Sequence, residues 1–384
     1  MLAAAASLGL LLAAGEAIRW NAGLESQARG RNEPSGDRRA GIGELDLHAR
    51  LGLSEQGPDL AAALTYSPSF LFRQVAFGEP AETGNANRHG GRLELQTRLA
   101  PTTRLSSRTA FDWGLTDFSP LSGQVTPLVV GLLPSHRFVR TLDFETMLDL
   151  AHAFSRRLQL SVAAGLQRSG GVGHDGVSSV PFQVGPRAIA SLAWAMDRAN
   201  AITLLWSGSE SRFSIDRRSL LSDLQAGWRL RASSHTLLDA AAGVVFVHSS
   251  GGNFFSRGIY GSGALGVGWN SPVSPQRTLQ ASLRFRLLPG VDRLTALAIQ
   301  TVRAEAGTEL TGGRLRLGVS SSGGHAISGV TADDQRLDAR VSWLTARGWS
   351  VEGGAGAAWT NQVPFAGWQV QALVGLRWAG QGAL

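Results

Sequence analysis

Glu44-Leu45-Asp46-Leu47-His48-Ala49-Arg50-Leu51-Gly52-Leu53-Ser54 alternates apolar and polar residues at every step. Successive side chains on a strand point to opposite faces, so this stretch makes a ribbon with one greasy side and one charged side; a helix would mix the two. The pattern recurs. Leu93, Leu95, Thr97 and Leu99 oppose Arg92, Glu94, Gln96 and Arg98; Leu142, Phe144, Thr146, Leu148 and Leu150 oppose Asp143, Glu145 and Asp149. Far downstream, Leu279, Ala281, Leu283, Phe285 and Leu287 oppose Gln280, Ser282, Arg284 and Arg286.

Alternation alone also fits a soluble sandwich, in which the greasy faces meet each other. Three features favour a membrane. The strands run about ten residues, the length a tilted strand needs to cross a bilayer. Connections alternate between short (Glu55 to Pro58, Phe154 to Arg157, Met196 to Asn200, Arg231 to His235, Thr311 to Gly313, Leu344 to Gly348) and long (Arg29 to Gly41, Gln74 to His89, Leu115 to Arg137, Arg168 to Pro181, His248 to Arg257, Ser321 to Asp334). Short periplasmic turns and longer outer loops mark transmembrane barrels. Finally, the 11 tryptophans fall in the apolar register near strand ends. Trp20, Trp194, Trp228, Trp269, Trp343, Trp349 and Trp378 lie toward the short turns, and Trp113, Trp206, Trp359 and Trp368 toward the long loops. An indole suits the headgroup level, so these read as two membrane-interface girdles.

The expected fold is an all-β, closed antiparallel transmembrane barrel of about 18 strands over residues 18–378, with 16 also compatible because Gly290 to Gln300 reads ambiguously. Residues 1–17 read as a signal peptide: Leu2 to Ala14 is apolar and Gly15-Glu16-Ala17 offers small residues before a cut. Residues 379–384 read as a short C-terminal tail.

Composition narrows the function. The 384 residues contain no cysteine, which suits passage through an oxidising periplasm. All 36 basic residues are arginine and the net charge is +7, but they are scattered singly, without the clustered, aromatic-interleaved face that nucleic acid requires. No apolar run after the N-terminus is long enough for a membrane helix.

The last strand, Gly367-Trp368-Gln369-Val370-Gln371-Ala372-Leu373-Val374-Gly375-Leu376-Arg377-Trp378, resembles the C-terminal signal of Gram-negative outer-membrane β-barrel (porin-like) proteins, carried by Gly375, Leu376 and Trp378. It departs from the common form in that Ala379 to Leu384 follow the aromatic residue. The resemblance implies outer-membrane lipids and the barrel-insertion machinery as partners. In architecture the chain loosely resembles the roughly 18-stranded barrels of polysaccharide-export systems, which implies a periplasmic export partner.

With the greasy register toward lipid, the polar register lines a pore. The residues expected there are Glu44, Asp46, Arg50, Glu94, Asp143, Glu145, Asp149, Arg284, Arg286, Arg303, Arg316 and Arg340. Acids gather early and arginines late. This is either a transverse field acting on solutes or cross-strand pairing that fixes register. Arg284 and Arg286 facing Arg303 read as unpaired like charges suited to an anionic solute. The apolar loop stretch Thr126 to Pro134 reads as a rim contact or a constriction. Glycine-rich Gly170 to Gly173, Gly251 to Asn253 and Gly323-Gly324 read as loop flexibility with no helix following. Catalysis has little footing: His48 beside Asp46 and His174-Asp175 are the histidine–acid pairs, and no serine completes a constellation. The expectation is an outer-membrane conduit with no cofactor and no chemistry of its own, with a diffusion porin, an adhesive or structural barrel and a surface hydrolase as rivals.

Overall fold

The computed structural model describes residues 18–35, 38–77, 85–118, 138–251, 254–292, 294–328, 332–345, 348–362 and 366–383. The signal-peptide segment and the Thr126 to Pro134 stretch lie outside them. The described chain is a succession of antiparallel strands: β1 (Arg19–Ser35), β2 (Arg38–Gln56), β3 (Leu60–Phe77), β4 (Ala86–Ala100), β5 (Thr103–Asp117), β6 (Phe138–Ala153), β7 (Leu158–Ser169), β8 (Gln183–Ala195), β9 (Asn200–Phe213), β10 (Arg217–Arg231), β11 (Thr236–Gly251), β12 (Phe254–Ser274), β13 (Arg277–Val291), β14 (Ala298–Gly312), β15 (Leu315–Ser328), β16 (Asp333–Leu344), β17 (Trp349–Thr360) and β18 (Gly367–Ala383). Each strand pairs with its neighbours in sequence, and β1 closes on β18 from Arg19↔Ala383 to Asn32↔Val370. The result is a closed 18-stranded barrel. Closure satisfies every ladder and leaves no edge exposed to lipid.

The two faces segregate as the alternation demands. Leu45 and Leu51 of β2, Phe144, Leu148 and Leu150 of β6, and Leu283 and Phe285 of β13 are all exposed large apolar residues on the outside, whereas Glu44, Asp46 and Arg303 are buried on the inside. A soluble protein does not expose so much continuous apolar surface; a bilayer covers it.

Several sequence expectations are corrected. Strands run from 12 to 21 residues rather than about ten, with surplus beyond the long-loop ends of β1 and β15 and beyond the short-turn ends of β12 and β18. Much of the chain expected as loop is paired strand: Arg29 to Ser35 continues β1, His248 to Gly251 ends β11, and Ser321 to Ser328 completes β15. The strict alternation of short and long connections therefore fails, since β11 and β12 are separated only by residues 252–253. The physical reason is that strand ends beyond the apolar band have no lipid to face, so they lose their greasy register while their backbones still pair. The tail is corrected as well: β18 pairs with β1 through Ala383. In the ambiguous Gly290 to Gln300 region, β13 ends at Val291, β14 starts at Ala298, and a short connection joins them.

One helix is described, α1 (Gly173–Ser179), directly after Gly170 to Gly173, where no helix was expected. It spans only two turns, and the chain before it still pairs with β6 through Thr141↔Gly171.

Candidate functional site

The barrel interior is the place where polar chemistry gathers. On β1 the inward side chains are Glu25, Gln27, Arg29 and Arg31; on β2 they are Glu44, Asp46, His48 and Arg50, and the ladder sets Arg29 opposite Glu44. Diagonal contacts then form. Arg29 Nη2 lies 2.7 Å from Asp46 Oδ2, and Arg31 Nη1 lies 3.1 Å from Glu44 Oε2 with both side chains at 0% exposure. Glu44 also takes Arg73 Nε of β3 at 3.0 Å, and Arg31 reaches Asp117 of β5 at 3.3 Å. The Arg73 guanidinium lies over the Phe138 ring, 4.9 Å from its centroid. His48 Nε2 sits 2.9 Å from Asp46 Oδ1.

The pairing continues around the wall. Arg88 of β4 bonds Asp112 of β5 and stands 3.8 Å from Asp143 of β6, while Arg187 of β8 lies 3.3 Å from Glu145. Asp149 accepts the Ser161 hydroxyl at 2.6 Å, and Glu94 is joined by Arg92 on its own strand. The early acids are thus held mostly by arginines and a hydroxyl on the same or nearby strands. That is cross-strand pairing rather than a bare acidic wall.

The late wall corrects another expectation. Arg286 stands opposite Arg303 in register, but the two share Glu305, at 3.5 and 3.2 Å, and Arg303 also lies 3.9 Å from Asp334. They are not unpaired like charges. Arg316 is held by Glu309 at 3.1 Å. Arg50, Arg284 and Arg340 carry no ion pair among the described residues, and all three are exposed toward the interior.

Sequence reasoning missed the partners Arg31, Arg73, Asp117, Arg88 and Arg187. The signal was present for one of them, because Arg31 continues the period-2 pattern of Gln27 and Arg29 through Ala28 and Gly30. It also missed how the interior narrows toward the long-loop side. The β13–β14 connection turns at Asp292, whose Oδ2 accepts the Thr295 backbone N–H at 2.7 Å and the Thr295 hydroxyl at 2.5 Å, with Ala296 at φ +56°. Arg217 of β10 donates to the Thr295 carbonyl. Leu294 then packs against Phe118, Val139 and Val180, which belong to the β5–β8 side of the barrel. Parts of the wall far apart in strand order meet there. Beneath, Val245 and Val247 of β11 turn inward and pack with Ala298, Leu221, Tyr260 and Val291.

Toward the short turns the interior opens into a cavity of about 1210 Å³, whose lining includes His235, Arg314, Arg316, Arg340, Glu352 and Arg377. The candidate site is therefore a polar vestibule under a packed upper section.

The tryptophans occupy the outward register. Trp113, Trp194, Trp206, Trp228, Trp269, Trp343, Trp349 and Trp368 are exposed, and Trp20, Trp359 and Trp378 are half-buried. Trp359 faces Trp368 across β17 and β18, and Trp349 faces Trp378 ten residues along the same strands. Trp206 departs from the strand-end expectation: β9 runs on to Phe213, so this indole lies mid-strand and donates to Ser222 Oγ at 3.0 Å.

A family model described as the EpsX exopolysaccharide export family matches residues 12–253. The chain belongs to the EpsX exopolysaccharide export family. No curated protein matches it, so the EpsX family model carries the sequence relationship. Among solved structures, OccAB4 of Acinetobacter baumannii is similar with a TM-score of 0.50 at 10% identity, covering 96% of this chain and 99% of that one. OpdK of Pseudomonas aeruginosa, solved with vanillate, gives a TM-score of 0.49 at 10% identity, covering 95% and 99%. At such identity the OccAB4 likeness speaks to the fold alone. This EpsX-family chain is an outer-membrane β-barrel of the channel type, placed in the bacterial outer membrane.

Proposed function

We propose that this protein is the outer-membrane conduit through which an exopolysaccharide leaves the cell, acting without chemistry of its own. The observation that carries this reading is the match of residues 12–253 to an exopolysaccharide export family. The geometry supports it. A closed 18-stranded barrel is wide enough for an aqueous passage, and its cavity faces the short-turn end, the periplasmic side in such barrels. Polymer would enter from the periplasm and leave past the packed upper section.

In this reading the interior polar residues line the route, and the outward tryptophans anchor the barrel in lipid. Residues 1–17 direct export to the periplasm, the insertion machinery then takes up the strand ending at Trp378, and a periplasmic export partner delivers the polymer to the vestibule. The narrowed upper section favours an export conduit over a diffusion porin, because an export channel must stay sealed when no polymer occupies it.

A null strain tests the proposal directly. Surface polysaccharide should be lost and regained with the wild-type chain, and the refolded protein should conduct poorly in a planar bilayer until partner or oligosaccharide is added. Normal surface polysaccharide in the null strain would refute it.

A further inference from the structure

We propose that the inner half of the barrel is a binding track for an acidic polysaccharide, engaged through free guanidiniums. This deepens the conduit reading and rests on it.

The upper interior has spent its charges on itself. Arg29, Arg31, Arg73 and Arg303 each hold a carboxylate within 4 Å. The inner half differs. Arg50, Arg284 and Arg340 point inward, are exposed, and have no ion pair among the described residues. Their register explains this. Arg50 faces Gly23 on β1, Arg284 faces Gly266 on β12 and, on β14, Glu305, which Arg286 and Arg303 already share, and Arg340 faces Gly318 on one side and Gly354 on the other. A glycine opposite a long side chain offers neither a partner nor a wall, so the guanidinium is left to extend into the lumen. Three more exposed inward arginines, Arg108, Arg229 and Arg377, have acids opposite them in register yet form no ion pair with them.

The acids on this half do not cancel these charges. Glu94, Glu309 and Asp338 are already engaged by Arg92, Arg316 and Arg336, and Glu305 is shared by Arg286 and Arg303. Glu25, Asp149, Asp239 and Glu352 remain, against six arginines. An unsatisfied excess of guanidinium in a confined, low-dielectric-walled channel concentrates anions, and its planar fork matches a carboxylate with two hydrogen bonds.

The rest of the surface argues against a neutral glycan. Uncharged sugars are gripped by stacking on aromatic faces, yet every tryptophan stands in the outward register. The inward positions of the inner half present arginine, carboxylates, glutamine, serine, glycine and short aliphatics instead, and the interior rings Phe118 and Tyr260 belong to the packed upper section. Spaced guanidiniums without aromatic platforms would let a chain of regularly placed uronate carboxylates slide from one to the next, each contact weak enough to leave.

The test uses the full chain, purified in detergent micelles, with an oligogalacturonate as the acidic probe and a dextran oligomer of equal length as the neutral one. Binding is read by fluorescence anisotropy of labelled oligomers. Oligogalacturonate should bind at least about tenfold more tightly than dextran, and raising salt from about 0.05 M to about 0.5 M should weaken it severalfold. The combined variant R50Q/R284Q/R340Q, checked for the heat-modifiable mobility of an intact barrel, should bind oligogalacturonate at least about tenfold less tightly. Equal affinity for both oligomers, or acidic binding indifferent to salt, overturns the proposal even if the variant does not fold. Either result leaves the conduit reading standing, since that falls only if the null strain keeps its surface polysaccharide.

Discussion

At the scale of single residues, the interior sorts its arginines into two kinds with different consequences. Arg31 has a fully buried side chain and bridges Glu44 and Asp117. Removing it strands carboxylates that have already lost their water, so Arg31→Ala should lower the unfolding free energy by about 3–5 kcal/mol, the range for breaking a buried pair from one side. Arg50 is exposed, faces a glycine, and holds no carboxylate, so Arg50→Gln should change stability by no more than ~0.5 kcal/mol. Urea unfolding of the barrel in lipid vesicles, followed by tryptophan fluorescence, measures both. Equal losses would mean that burial does not separate the two groups. That Glu44, Asp46 and Arg50 face inward was legible from period-2 alternation. Their partners were harder to read, because Arg31 falls inside the stretch Arg29 to Gly41 that reads as loop although the ladder continues, and Arg73 stands one residue before another such stretch.

At the scale of elements, the connections carry the specific behaviour. In the short turn between β8 and β9, Asp197 accepts the backbone N–H groups of Ala199 and Asn200 at 2.6 and 2.7 Å and the Asn200 side-chain amide at 2.8 Å. The Asn200 side chain, followed by those backbone donors, favours the ionised form and holds Asp197 below the usual carboxylate range. A lowered folded-state pKa means the stabilisation is complete above the unfolded value and fades as pH falls through the folded one. Asp197→Ala should therefore weaken the barrel at neutral pH and converge with wild type in acid, which paired urea titrations at neutral and strongly acidic pH would reveal. A gap that persists in acid would locate the effect outside the carboxylate. The β13–β14 connection makes a different prediction. Because Leu294 meets Phe118, Val139 and Val180, replacing residues 293–296 with a two-glycine link should raise single-channel conductance severalfold in planar bilayers. An unchanged conductance would move the constriction elsewhere. Nothing in the pattern around Gly290 to Gln300 announced this contact, since a turn's reach across a barrel depends on curvature that no local window contains.

At the scale of the whole molecule, the barrel must match the bilayer, and the tryptophans supply the ruler. Trp349 and Trp359 lie ten residues apart on β17, and Trp368 and Trp378 lie ten apart on β18. Ten residues of strand cover about 33 Å, and a tilt of ~40° reduces this to about 25 Å along the membrane normal. That is the height of the apolar band of an outer-membrane barrel, so strands of up to 21 residues must carry their excess beyond the lipid. On β18 the excess follows Trp378 at the short-turn end, whereas on β1 it lies at the outer end, where the ladder continues past the last outward leucine. Variants retaining one indole each, at 349, 359, 368 or 378, reconstituted in vesicles whose lipids carry bromine either near the glycerol or near the chain terminus, test this arrangement. All four should be quenched more strongly by the shallow bromines, because an indole keeps its N–H among the headgroups. If Trp359 or Trp368 were instead quenched best from the bilayer centre, the membrane would have to sit nearer the outer ends of the strands. The apolar band would then include the half of β1 that carries Arg31 beneath its outer surface, and the vestibule would stand clear of the lipid on the periplasmic side.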